Sequence, residues 1–143
     1  MPAINFFEED ITYQLKNKNK VRRWITDTII AEGLKLKELN YIFCSDGYLL
    51  QINQQYLNHD TYTDIITFDN STQEGSIVGD IFISIDRIRE NATKFNVSES
   101  EELHRVIIHG ALHLLGYKDK TTVTKQKMTE KEDFYLTRRN FNR

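Results

Sequence analysis

The chain has 143 residues, with 19 lysines and arginines against 21 aspartates and glutamates, for a formal net charge of −2. That balance excludes a molecule that binds nucleic acid through its overall field, so any such affinity must come from local patches and be salt-sensitive. With 39% hydrophobic and 28% charged residues, the composition is that of a soluble globular protein. The length reads as one domain, 1–143, whose core needs neither disulfides nor a structural metal. Cys44 is the single cysteine and sits in an apolar run; it is expected as a buried core residue in a reducing, cytoplasmic compartment. The N-terminus lacks a basic segment followed by an apolar run, so no secretory signal is expected. No apolar stretch approaches the roughly 18 residues of a membrane span.

In chain order, residues 4–6 suit a first strand. Lys16, Lys18, Lys20, Arg22 and Arg23 follow, either a solvated face or an RNA-phosphate contact surface. From 19 to 32, Val21, Trp24, Ile25 and Ile29 mark one face of a helix that Gly33 ends. Residues 38–45 carry Leu39, Tyr41, Ile42, Phe43 and Cys44 and read as a second strand, with a helix over about 47–56 after it. The polar stretch 57–62 is a loop and a candidate substrate rim, with His59 and Asp60 its chemically interesting members. Strands are expected at 63–68 and 77–84, joined by a hairpin-length connection containing Gly75. A short helix over 86–95, a central helix from Ser98 and a final helix over about 124–140 complete the chain. The fold class that follows is α/β (α+β): about four strands in one mixed sheet surrounded by about five helices, one of them buried and metal-bearing.

The central helix is the organising element. Ser98 and Glu101 have the spacing of a capping box. Leu103, Val106, Ile107, Gly110, Ala111 and Leu114 form one face, and Ile108, Leu112 and Leu115 extend the apolar cover nearly all round, as in a buried helix. Gly116 is suited to the left-handed position past its end. His109 and His113, four apart, project side by side where core meets cleft. Asp119 follows three residues after Gly116. His109-x3-His113-x2-Gly116-x2-Asp119 has the spacing of the metzincin motif, with Gly110 where the general-base Glu would be and Asp119 where the third His would be. Three protein ligands and an open position are the arrangement of a catalytic zinc, which lowers the pKa of a bound water to about 7. Two ordinary, hydrogen-bonded histidines on an apolar helix are the bland alternative; the glycine turn and the carboxylate at ligand spacing weigh against it.

His109-Gly110-Ala111-Leu112-His113-Leu114-Leu115-Gly116-Tyr117 matches H-G-x-L-H-L-x-G-Y, and on that nonapeptide the chain resembles the YbeY family of bacterial rRNA maturation endoribonucleases. Thr63-Asp64-Ile65-Ile66-Thr67-Phe68 is similar to the family's T-D-V-L-S-F strand, and Gly79-Asp80-Ile81-Phe82-Ile83-Ser84 to its G-D-I-x-I-S strand. Met128 and Glu132 match a weaker M-x3-E pattern. The order is the family's over nearly the whole chain. Two positions depart from it. Lys118-Asp119 stands where the family has Asp-His, and Leu57 stands after Tyr56 where the family has an arginine. A carboxylate oxygen reaches zinc at about the distance of an imidazole nitrogen, so Asp119 remains the expected third ligand, at the cost of a weaker Lewis acid. An arginine would hold phosphate; other groups must do so here.

The resemblance implies a single-strand-specific, zinc-dependent endoribonuclease in rRNA maturation, at the 16S 3′ end, and in ribosome quality control. It implies one zinc ion per chain on His109, His113 and Asp119, with a metal-bound water as the reacting group and no general base assigned. Lys118, Lys120, His59 and Asp60 are candidates for contacts to substrate. rRNA and ribosomal subunits are the implied partners, with neither membrane nor DNA among them. Two other readings stay open: a non-catalytic metal-binding ribosome-assembly factor, and a metallopeptidase in which a carboxylate such as Asp64 takes the place of the missing glutamate.

Overall fold

The computed structural model of the protein describes residues 3–57, 63–139 and 141. Among these, four strands and five helices follow one another as β1 (Ile4–Glu8), α1 (Lys18–Ala31), β2 (Lys35–Cys44), α2 (Asp46–Leu57), β3 (Ile65–Asp69), β4 (Ser76–Ser84), α3 (Ile85–Phe95), α4 (Glu99–Leu114) and α5 (Thr122–Thr137). The sheet order is β1-β2-β4-β3. β1, β2 and β4 run parallel, and β3 pairs antiparallel on the edge of β4. The expected mixed sheet is therefore observed, with a helix leaving each parallel strand as such strands require.

Register decides what each face carries. Phe6 lies beside Tyr41, Tyr41 beside Ile81, and Ile81 beside Thr67. This face, with Ile4, Leu39, Phe43 and Ile83, is buried beneath α1 and α4. The opposite face takes Cys44, Ile66 and Phe82 under Leu49 and Ile52 of α2. Further along it, Asn5 donates to Asn40, and Asn40 and Asn70 both donate to Asp80, so a row of polar side chains crosses the sheet. Cys44 is buried, as its apolar surroundings in sequence predict, and burial first, then nearby carboxylates, push its thiol up to about 12.

α4 is the most enclosed helix. Val106, Ile107, Ile108, Ala111 and Leu112 are all buried, and burial of each larger aliphatic side chain stabilises the fold by about 1.5–3 kcal/mol. The Tyr41 hydroxyl donates to the Ile107 carbonyl at 2.9 Å and fixes the helix over the sheet. Ser98 caps its start by accepting from the Glu101 amide, but the reciprocal half of the capping box is absent. The Glu101 carboxylate turns instead to Arg139, 2.7 Å away. The complete box belongs to α5, where Thr121 and Thr124 cap each other reciprocally; that helix begins earlier than residue 124 for this reason.

The end of α4 is a Schellman turn. Gly116 has φ +106, its amide donates to His113, and the Tyr117 amide donates to Leu112. The turn directs residues 117–120 back across the open end of the helix. Gly110 serves another purpose. A Cβ there would lie 2.9 Å from Ile65 Cδ1 and 3.0 Å from Ile81. Its missing side chain lets α4 lie directly on β3 and β4. Both β3 and β4 thus line this helix, through Ile65 and Ile81, and Gly79 of β4 likewise leaves room for Leu114 of α4.

Candidate metal centre

His109 and His113 project from successive turns of α4, their ring centroids 4.6 Å apart and their planes nearly perpendicular. Asp119 is carried back to them by the Schellman turn. One of its oxygens, Oδ2, lies 3.3 Å from His109 Nε2 and 3.2 Å from His113 Nε2. Each of these side chains is partly exposed, at 20%, 27% and 35%. Among the described residues, these three form a group that could hold a metal ion.

The other nitrogen of each ring is engaged from behind. His109 Nδ1 faces Glu132 Oε2 at 2.5 Å, and His113 Nδ1 faces the Tyr117 carbonyl at 3.1 Å. An Nδ1–H committed to an acceptor leaves a lone pair on Nε2, and both Nε2 atoms point to the same place. Two imidazole nitrogens and one carboxylate oxygen, with the rings oriented by outer acceptors, fit the donor set of a divalent transition metal. Burial acts against a charged His109, but Glu132, Asp119 and Asp64 outweigh it and raise its pKa. The pocket therefore favours positive charge, whether a proton or a cation supplies it.

Glu132 is 8% exposed and is itself held by Arg105, whose Nη1 lies 2.9 Å from Oε1. The other arm of Arg105 takes Asp133 at 2.7 Å. α5 is thus fastened to α4 directly behind the first histidine. Asp64, on the approach to β3, has its carboxyl pKa raised by burial against the pull of His109, with Glu132 adding to the rise. Sequence reasoning placed Glu132 only within the M-x3-E pattern; its contact with His109 has no local signal, since the two lie 23 residues apart.

Lys118 and Lys120 flank Asp119 on the turn and are exposed. His59 and Asp60 lie outside the described residues. Leu57 ends α2 and is exposed, as is Tyr56. The basic run near α1 is partly absorbed by the fold. Lys20 donates to the Phe141 carbonyl, and Arg22 donates to the Ile4 carbonyl while lying over the Phe6 ring. Gly110 faces the sheet rather than the cleft, so the metallopeptidase reading has no glutamate side chain at its expected position.

Comparison with known proteins places the chain in a family. The family model described as endoribonuclease YbeY matches residues 3–140. An endoribonuclease YbeY from Cytophaga hutchinsonii is 55% identical over 139 residues, covering 97% of each chain. One from Flavobacterium psychrophilum is 50% identical over 127 residues, covering 89% of this chain and 90% of its own. A solution structure of a Thermotoga maritima protein superposes with a TM-score of 0.64 at 29% identity, covering 93% of this chain and 86% of that one. With a family match across almost its whole length and relatives this similar, the chain belongs to the endoribonuclease YbeY family.

Proposed function

We propose that residues 1–143 act as one domain, a zinc-dependent endoribonuclease that cuts single-stranded rRNA on ribosomal subunits in the cytoplasm. The observation that carries the metal assignment is the convergence of His109 Nε2 and His113 Nε2 on one Asp119 oxygen, with each Nδ1 already committed. Family membership supports the RNA substrate. A zinc ion bound there supplies Lewis acidity toward a phosphoryl oxygen.

The remaining roles fall to the chain itself. His109, His113 and Asp119 hold the cation. Glu132 and the Tyr117 carbonyl fix the imidazole tautomers and ring planes. Lys118 and Lys120, exposed beside Asp119, neutralise substrate phosphates. Net charge is −2, so the bound RNA is held by these local contacts rather than by the whole molecule.

The test is cleavage of a labelled single-stranded RNA by the wild type and by His113→Ala. Loss of cleavage in the variant, with its circular dichroism unchanged, is the expected result. Full activity in His113→Ala sinks the proposal. An inactive variant that nonetheless restores rRNA processing in cells favours the assembly-factor reading.

A further inference from the structure

Glu32, the C-cap residue of α1, has a carboxylate that is nearly buried yet takes no part in the roles assigned above. Three donors converge on it. The Tyr117 hydroxyl reaches Oε1 at 2.5 Å, the Tyr135 hydroxyl reaches Oε2, and Lys131 Nζ lies 3.2 Å from Oε2. Lys131 also stands over both tyrosine rings. Burial opposes the charged carboxylate, but these hydrogen bonds outweigh it and hold the carboxyl below its ordinary range.

The two tyrosines are not equivalent to other surface partners. Tyr117 is the residue whose carbonyl receives His113 Nδ1. Tyr135 lies three residues after Glu132, one helical turn along α5, and Glu132 receives His109 Nδ1. The outer acceptor of each histidine is thus carried on a segment tied to the same carboxylate. Trp24 of α1 adds a second tie, donating to the Tyr135 carbonyl at 2.7 Å. We infer that Glu32 is a positioning residue for the metal centre, the shared anchor that holds the Tyr117 turn and α5 in the register that orients His113 and His109. This inference rests on the metal assignment proposed above.

The test measures Zn²⁺ affinity by chelator competition and the visible absorption of the Co²⁺-substituted protein. It compares wild type, Glu32→Ala, Tyr117→Phe, Tyr135→Phe and the double tyrosine variant, with thermal unfolding of each metal-free form alongside. Outer-shell partners are worth about 10–100-fold in metal affinity, so Glu32→Ala is expected to weaken Zn²⁺ binding about tenfold and to shift the Co²⁺ bands. The double tyrosine variant should reproduce that loss, and each single variant part of it. Should Glu32→Ala fail to fold, the tyrosine variants, which lose only one hydroxyl oxygen per substitution, carry the test. Lower melting temperatures with unchanged affinity and unchanged Co²⁺ bands would overturn the inference and leave Glu32 a purely structural tie. A wild type that takes up no Zn²⁺ overturns the metal assignment, and this inference with it.

Discussion

Glu132 of α5 stands directly behind His109 of α4, with Oε2 2.5 Å from Nδ1, while Arg105 holds the other carboxylate oxygen at 2.9 Å. The carboxylate strengthens the imidazole as a donor and fixes its ring plane. Glu132→Ala should therefore weaken Zn²⁺ binding by about 10–100-fold. Glu132→Gln, which keeps an acceptor oxygen but not the charge, should lie between the two. Chelator competition reads both; equal affinity in all three proteins would dismiss the role of Glu132.

Asp119 is the proposed ligand that departs from the family pattern. Its Oδ2 is the atom on which both Nε2 nitrogens converge, so Asp119→Ala is expected to lose the ion, as is His113→Ala. Asp119→His should retain about one zinc per chain, because an imidazole reaches the metal at about the same distance. Elemental analysis of the purified proteins decides it. Zinc retained by Asp119→Ala would mean that a different third ligand completes the site.

Lys118 and Lys120 should show themselves through salt. For single strands the slope of log affinity against log salt is about −0.7 per neutralised phosphate. Replacing either lysine with alanine should reduce that slope by about 0.7 and weaken binding without regard to sequence. Unchanged slopes in both variants would remove the lysines from the RNA contact.

His104 makes acid stability testable away from the metal centre. Burial first, then the Arg139 guanidinium, whose Nη1 lies 2.8 Å from Nδ1, pushes its pKa down to about 4, with Glu101 opposing. A depressed folded pKa means that the unfolded chain binds the proton first. The neutral ring thus contributes full stability above the unfolded value of about 6.5, and that contribution is lost as pH falls toward 4. The loss is roughly 3 kcal/mol at most. His104→Asn should flatten the fall in melting temperature between pH 6.5 and 4; an identical pH profile would show that another group governs it.

Gly110→Ala sets two effects against each other. Alanine favours a helix interior by about 1 kcal/mol. The new Cβ, however, would meet Ile65 and Ile81 at 2.9–3.0 Å, and overpacking costs about 1–3 kcal/mol. A net loss of about 1 kcal/mol in urea unfolding is expected. A stabilised variant would show that β3 yields easily at this contact.

The parts of the site legible in sequence are those written locally. His109 and His113 share a helix, and Gly116 announces the turn that returns Asp119; spacing alone brought these to attention. The strands and helices were legible for the same reason, since periodicity within a segment reports which face is buried. Glu132 was visible only within the M-x3-E pattern and Asp64 only as a stand-in carboxylate; their contacts, and Glu32 altogether, were not legible, because each depends on the docking of a separate segment. Glu32 lies 85 positions from Tyr117, and no pattern in either segment predicts their meeting. Charge runs misled in a related way. Lys20 and Arg22 look free in sequence, but backbone carbonyls of Phe141 and Ile4 take them up. The capping box at Ser98 was half right because Arg139 competes for the glutamate that would complete it.

The contact between His109 and Glu132 also sets an order of events. A ribosome releases the chain from its N-terminus, so His109, His113 and Asp119 emerge before α5 does. At that moment the donors exist but nothing yet stands behind the first imidazole. The support arrives only with α5, so a chain grown past Asp119 but short of Glu132 carries the donor set without the carboxylate that orients it.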